Sequence, residues 1–174
     1  MRLTLGICLM LVSAQVFSAG EDSSKHVIYA GVGNAERGNP NKSDDTPWSL
    51  GYLYRAKNSK AFYGIDFARE GTSLDNTSGQ NDAIEQGFSL NLVVGRDLNF
   101  NNGWGAGIGV LLGAREAGES CPDSYLGYQC YADEDPDTEY DFNYGAVLHL
   151  TFKKALIGAR ISGESSQLMF GVAF

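Results

Sequence analysis

Past its first twenty residues the chain has no apolar run long enough to cross a bilayer as a helix, which excludes a helical membrane protein. Histidine is scarce: His26 and His149 are the only two. Cysteine is nearly as rare, with three in 174 residues. A zinc site is therefore not expected, because two paired sulfurs would need further ligands that the histidines do not supply in any metal-ligand spacing. Basic residues are too few for a nucleic-acid partner, since 13 Lys and Arg face 21 Asp and Glu.

The first residues, "MRLTLGICLMLVSAQVFSAG", pass from Arg2 through an apolar stretch, Leu3 to Val12, into small residues at Ser18, Ala19 and Gly20. This is the pattern of a secretory signal peptide, residues 1–19, cleaved after Ala19, and the apolar stretch is too short for a membrane anchor. Cys8 leaves with it. Removing Arg2 leaves 12 basic against 21 acidic residues, a net charge of −9. The remaining Cys121 and Cys130 form an even pair in an exported chain, which predicts one disulfide closing a short loop.

What the chain does have is glycine, aromatics and period-two alternation. Eight segments alternate apolar with small or polar residues, at 26–36, 46–56, 61–71, 85–100, 104–116, 138–152, 155–164 and 166–174. The connections alternate long (37–45), short (57–60), long (72–84), short (101–103), long (117–137) and short (153–154), with a tight turn at 163–165. That asymmetry is expected of an outer-membrane barrel, with short periplasmic turns and longer outer loops, whereas a sandwich has no reason to sort its loops.

Side chains two apart share a face, so facing is legible along each strand. Trp48, Leu50, Tyr52 and Tyr54 share one face, as do Tyr63, Ile65 and Phe67; Phe88 to Val94; Trp104 to Leu112; Tyr140 to Phe152; and Leu168, Phe170, Val172 and Phe174. These are expected to face lipid. The complementary face collects glycines and charges, chiefly Arg55, Asp66, Glu70, Asp97, Arg115, Asp141, His149 and Arg160, which predicts a narrow polar lumen. Arg115 and Asp141 are expected at similar depth near the outer ends of neighbouring strands, with Glu70 also at that level, and Asp66 and Arg160 both near mid-depth. Aromatics fall into two girdles, Tyr54, Tyr63, Phe100, Trp104, Phe152 and Phe174 at one rim and Trp48, Phe88, Tyr140 and Phe142 at the other. Strand one, Ile28, Ala30 and Val32 against Tyr29, Gly31 and Gly33, does not declare its facing. Arg96 falls on the lipid side, which suggests a bulge there.

Strand count, loop order and the terminal "LMFGVAF" together resemble the small eight-stranded outer-membrane barrels, the group of the OmpA membrane domain and the OmpX and Ail type. The resemblance implies an all-β, up-and-down antiparallel transmembrane barrel as a single domain over 20–174. It also implies outer-membrane location with both mature termini periplasmic, a side-chain-filled interior, and roles from envelope integrity to adhesion. The alternating Leu168, Phe170, Val172 and Phe174 resemble the signal read by the outer-membrane assembly machinery.

The lumen charges admit two readings, a gated pore or proton path and a salt-bridge plug. His149 raises an enzyme, because some small barrels deacylate or palmitoylate lipid A, but it faces inward near the periplasmic end without a nucleophile in reach. The third long loop, "CPDSYLGYQCYADEDPDTEYD", carries Asp133, Glu134, Asp135, Asp137 and Glu139, weak calcium candidates that lack the EF-hand glycine and terminal Glu. Arg37, Lys42 and Arg69 are candidates to touch lipopolysaccharide phosphates. The expectation is a monomeric, non-enzymatic barrel without a cofactor, its partners being outer-membrane lipid and an extracellular protein or host-surface ligand. The competing functions are a narrow porin-like channel and, third, a lipid A-modifying enzyme.

Overall fold

A computed structural model describes residues 26–35, 45–55, 59–75, 82–99, 103–121 and 136–174. The predicted signal peptide, Cys130, Asp133, Glu134, Asp135, Arg37 and Lys42 lie outside the described residues. Ten strands are described: β1 (His26–Ala35), β2 (Trp48–Arg55), β3 (Ala61–Arg69), β4 (Ser73–Asp75), β5 (Asp82–Glu85), β6 (Phe88–Asn99), β7 (Trp104–Ser120), β8 (Asp137–Phe152), β9 (Ala155–Ser162) and β10 (Ser165–Ala173). Eight of them, in the order β1-β2-β3-β6-β7-β8-β9-β10, close into an antiparallel barrel, because β1 pairs with both β2 and β10 and β8 with both β7 and β9. At the seam His26 N donates to Phe174 O (3.2 Å), Phe174 N donates to His26 O (2.8 Å), and the two rings stack with centroids 5.7 Å apart.

The register sets the barrel's dimensions. One row of paired residues runs His149, Gly158, Met169, Gly31, Ser49, Ala68, Ser89, Arg115 and back to β8 at Asp141. It returns displaced by 149 − 141 = 8 residues, so the shear equals the strand number. With a rise of ~3.3 Å per residue and ~4.8 Å between strands, the strands tilt by about 35°. Such a barrel is just wide enough for side chains to fill.

Alternation separates two surfaces. Ile28, Leu50, Ile65, Leu90, Leu92, Ile108, Val110, Ile157, Leu168 and Phe170 stand outward and exposed, giving an apolar belt around the molecule. This settles strand one, whose Ile28 and Val32 face outward while Val27 and Tyr29 are buried. Inside, large residues lie opposite glycines on the neighbouring strand: Tyr29 pairs with Gly51, Phe62 with Gly95, and His149 with Gly107. A methyl at Gly51 would come within 2.0 Å of the Tyr29 ring, so the glycine is required by close approach.

Three expectations are corrected. Arg96 lies in unbroken register between Ala61 and Ile108, so there is no bulge at this residue; lying near the short-turn end, its long side chain can reach past the apolar belt. The register shifts instead in β7, between Glu116 and Gly118, and in β4, between Ser73 and Leu74. The segment expected as one strand over 85–100 is divided, because Gln86 and Gly87 interrupt it and β5 pairs instead with β4. The strand expected to stop at 116 continues to Ser120, held by β8 on one side and by β4, parallel, on the other.

Candidate functional site

The inward side chains form three levels. The upper one is built on Arg160 of β9, which is fully buried. Its Nη1 and Nη2 donate to the two Glu70 oxygens, both at 2.6 Å, while its Nε and Nη2 donate to Asp66 Oδ1 at 3.0 and 2.9 Å. β3 and β9 are four strands apart in either direction round the barrel, so the guanidinium bridges opposite walls. Glu70 also accepts from Ser89, Asn143, Ser162 and Ser165, and Asp66 from Tyr29 and Asn91. Every oxygen of the two carboxylates is thereby bonded, which is what buried charges require.

Below this lies an apolar level that alternation alone did not reveal. Val93, Leu111, Val147 and Met169, with Val27, Leu53, Phe62 and Leu156 beneath them, form one buried cluster across the lumen. The expectation of a narrow polar lumen is therefore corrected at this depth, where the filling is apolar. Val93, Leu111, Val147 and Met169 each have a glycine beside them on the inward face of their strand and a glycine or polar residue on the other side, so no strand shows an apolar stripe by itself and only barrel closure brings them together.

The third level, at the short-turn end, is Arg55, Asp97 and His149. Arg55 Nε donates to Asp97 Oδ2 at 2.7 Å, and His149 Nε2 lies 3.2 Å from Asp97 Oδ1. The His149 ring packs on Phe62 at 5.3 Å between centroids. Among the described residues no hydroxyl or thiol is hydrogen-bonded to His149, whose Nδ1 is buried without a partner.

The long-loop mouth is separate. Arg115 Nη2 donates to Asp141 Oδ2 at 3.2 Å and Arg115 Nε lies 3.3 Å from Glu164 Oε1. The pairing of Arg115 with Asp141 matches their expected level, and Glu70 leaves the end of β3 near that level, its side chain turned inward to the Arg160 cluster. One placement is corrected. Asp141 is exposed at the mouth (63 % for the side chain), because β8 there has passed beyond the end of β9. Tyr29, Ser162 and Ser165 complete the buried cluster and were not anticipated; the undeclared facing of strand one hid the first, and the tight β9–β10 turn hid the other two.

Asp137 and Glu139 lie exposed at the start of β8, and no cluster of three metal-ligating side chains occurs among the described residues. Cys121 is buried just after β7. Phe174 points outward beside His26, in line with Leu168, Phe170 and Val172.

No family model and no curated protein matches the sequence. Among solved structures the chain is similar to the amino-terminal β-barrel domain of Pseudomonas aeruginosa OprF (TM-score 0.50, 12% identity, covering 88% of this chain and 100% of that one). It is also similar to Yersinia pestis outer membrane protein Ail in a phospholipid nanodisc (TM-score 0.47, 17% identity, 87% of this chain and 99% of that one). Ail solved with the heparin analogue sucrose octasulfate gives a TM-score of 0.44 at 16% identity, over 87% of this chain and 96% of that one. The likeness is one of architecture: the chain has the fold of the small eight-stranded outer-membrane β-barrels.

Proposed function

We propose that the protein is an exported outer-membrane barrel, freed of residues 1–19, that acts without catalysis as a surface-interaction protein through its long-loop end. The apolar belt supports the membrane reading, since so continuous a ring of exposed Leu, Ile, Val and Phe needs lipid to cover it. The interior supports a closed rather than conducting barrel. Its charges are bonded to one another at two levels, and the apolar level between them offers a permeating ion no polar partner.

The observation that carries the interaction reading is the arm made by β7 and β8. β8 pairs with β9 only from Gly145 onward, so residues 137–143 have a strand neighbour on the β7 side alone among the described residues. β4 and β5 widen the same arm on its other side, and β5 is an outer strand of the sheet. An unpaired strand edge is a template for an added strand. Asp137, Glu139 and Asp141 make the β8 edge acidic, and Tyr140, Phe142 and Tyr144 stand exposed along the same strand. A basic, extended segment of an extracellular protein suits both features.

The test compares the reconstituted parent with a variant in which a Gly-Asn-Gly turn joins Arg115 directly to Asp141, over an array of extended peptides graded in charge. Binding of basic peptides by the parent and its loss in the shortened variant is the expected result. Equal binding by both would remove the arm as the interaction surface.

A further inference from the structure

We infer that the short-turn end of the barrel carries a binding site for the headgroup of an anionic phospholipid, centred on Lys153 and Lys154; this rests on the reading of the chain as a membrane barrel. The two lysines are the whole connection between β8 and β9. Lys153 has φ 53 and is the only described residue other than glycine with positive φ. Positive φ at the first central residue of a two-residue hairpin is the pattern of a type II′ turn, where glycine is the unstrained choice. A lysine there, followed by another, places two amines side by side against the local conformational preference, and such an outlier points to a use for the side chain.

The surroundings suit a lipid headgroup. Lys153 Nζ lies over the Phe152 ring, 5.4 Å from its centroid, and Trp104 packs on Phe152 at 4.7 Å. Phe152 and Trp104 face outward at the rim of the apolar belt, so the amines sit where acyl chains give way to phosphates. Lys153 N donates to Gly103 O at 3.0 Å, which ties this turn to the adjacent one and fixes the lysine over the aromatic shelf.

Charge separates the two ends of the barrel. Around the short-turn end the exposed charged side chains among the described residues are Lys60, Arg96, Lys153 and Lys154, while Asp97 is turned inward onto Arg55 and His149. Acids dominate the opposite mouth. A leaflet bearing anionic phospholipid is thus complementary to the short-turn end alone.

The test uses the full barrel with Trp48→Phe, which leaves Trp104 as the single tryptophan, in phosphatidylcholine vesicles with and without phosphatidylglycerol. Quenching by brominated phosphatidylglycerol is compared with quenching by brominated phosphatidylcholine, for this protein and for the same protein with Lys153→Gly and Lys154→Asn. Gly-Asn is a favoured turn pair, so thermal stability should be kept or raised in that variant. A preference for phosphatidylglycerol of at least about fivefold at Trp104, falling to parity in the variant, is expected from two lysines near the surface. Parity in the parent, or an undiminished preference in the variant, would overturn the site while leaving the barrel in place. Failure of either protein to insert into any vesicle, read by loss of heat-modifiable gel mobility, would instead overturn the membrane reading and the site with it.

Discussion

Arg160 and Glu70 stand on opposite walls of the barrel and meet at its centre through two hydrogen bonds of 2.6 Å each. A strut of this kind is costly to break from one side only. Arg160→Met would leave Asp66 and Glu70 buried without a cation, and the loss should be roughly 3 to 5 kcal/mol. Combining it with Asp66→Asn and Glu70→Gln should recover most of that, because no unpaired charge remains. Urea unfolding of the folded barrel in vesicles measures both. A single variant as stable as the parent would show that the cluster is wet or rearranged.

Gly51 is predicted to be irreplaceable while Tyr29 is present. Gly51→Ala forces the added methyl into the Tyr29 ring, 2.0 Å away in the undisturbed structure, and should cost ~1 to 3 kcal/mol. With Tyr29→Val as a second change the penalty of the alanine should largely vanish, and a double-mutant cycle reads the coupling. Additive effects would mean that the ring does not occupy the space over Gly51.

Much of the wall was legible from the sequence. Alternation places Leu90, Leu92 and Val94 on one face and Ser89 and Asn91 on the other without any tertiary knowledge, because the side-chain period of a strand is two whatever it packs against. Asp66 and Arg160 could be put at similar depth by counting from the turns. Counting failed where strands do not end together: β7 and β8 run past their neighbours, so Asp141, with the right parity for the lumen, emerges at an open mouth. Counting placed Glu70 inward near the outer end but not its partner, because its reach to Arg160 across the lumen depends on side-chain length and barrel width. The apolar level of Val93, Leu111, Val147 and Met169 was invisible strand by strand, since each residue reads as an isolated exception until the register aligns them.

Phe174 is predicted to matter for assembly. It is tied to His26 by two backbone hydrogen bonds and a stacked ring pair, so it takes part in the seam that joins the first and last strands. Phe174→Ala should slow insertion and leave more unfolded chain outside the membrane, measured as the rate at which heat-modifiable gel mobility appears. An unchanged rate would separate the terminal aromatic from the closing step.

Two charged levels with an apolar level between them close the lumen. Single-channel recording of the reconstituted protein in a planar bilayer should show no stable conductance steps, because the Arg160 strut and the apolar level beneath it leave no continuous polar path. Opening the interior with Val93→Gly, Leu111→Gly and Arg160→Ser together should introduce steps. Well-resolved openings in the parent, with a conductance already equal to that of the opened variant, would contradict a closed barrel and return the lumen to consideration as a channel.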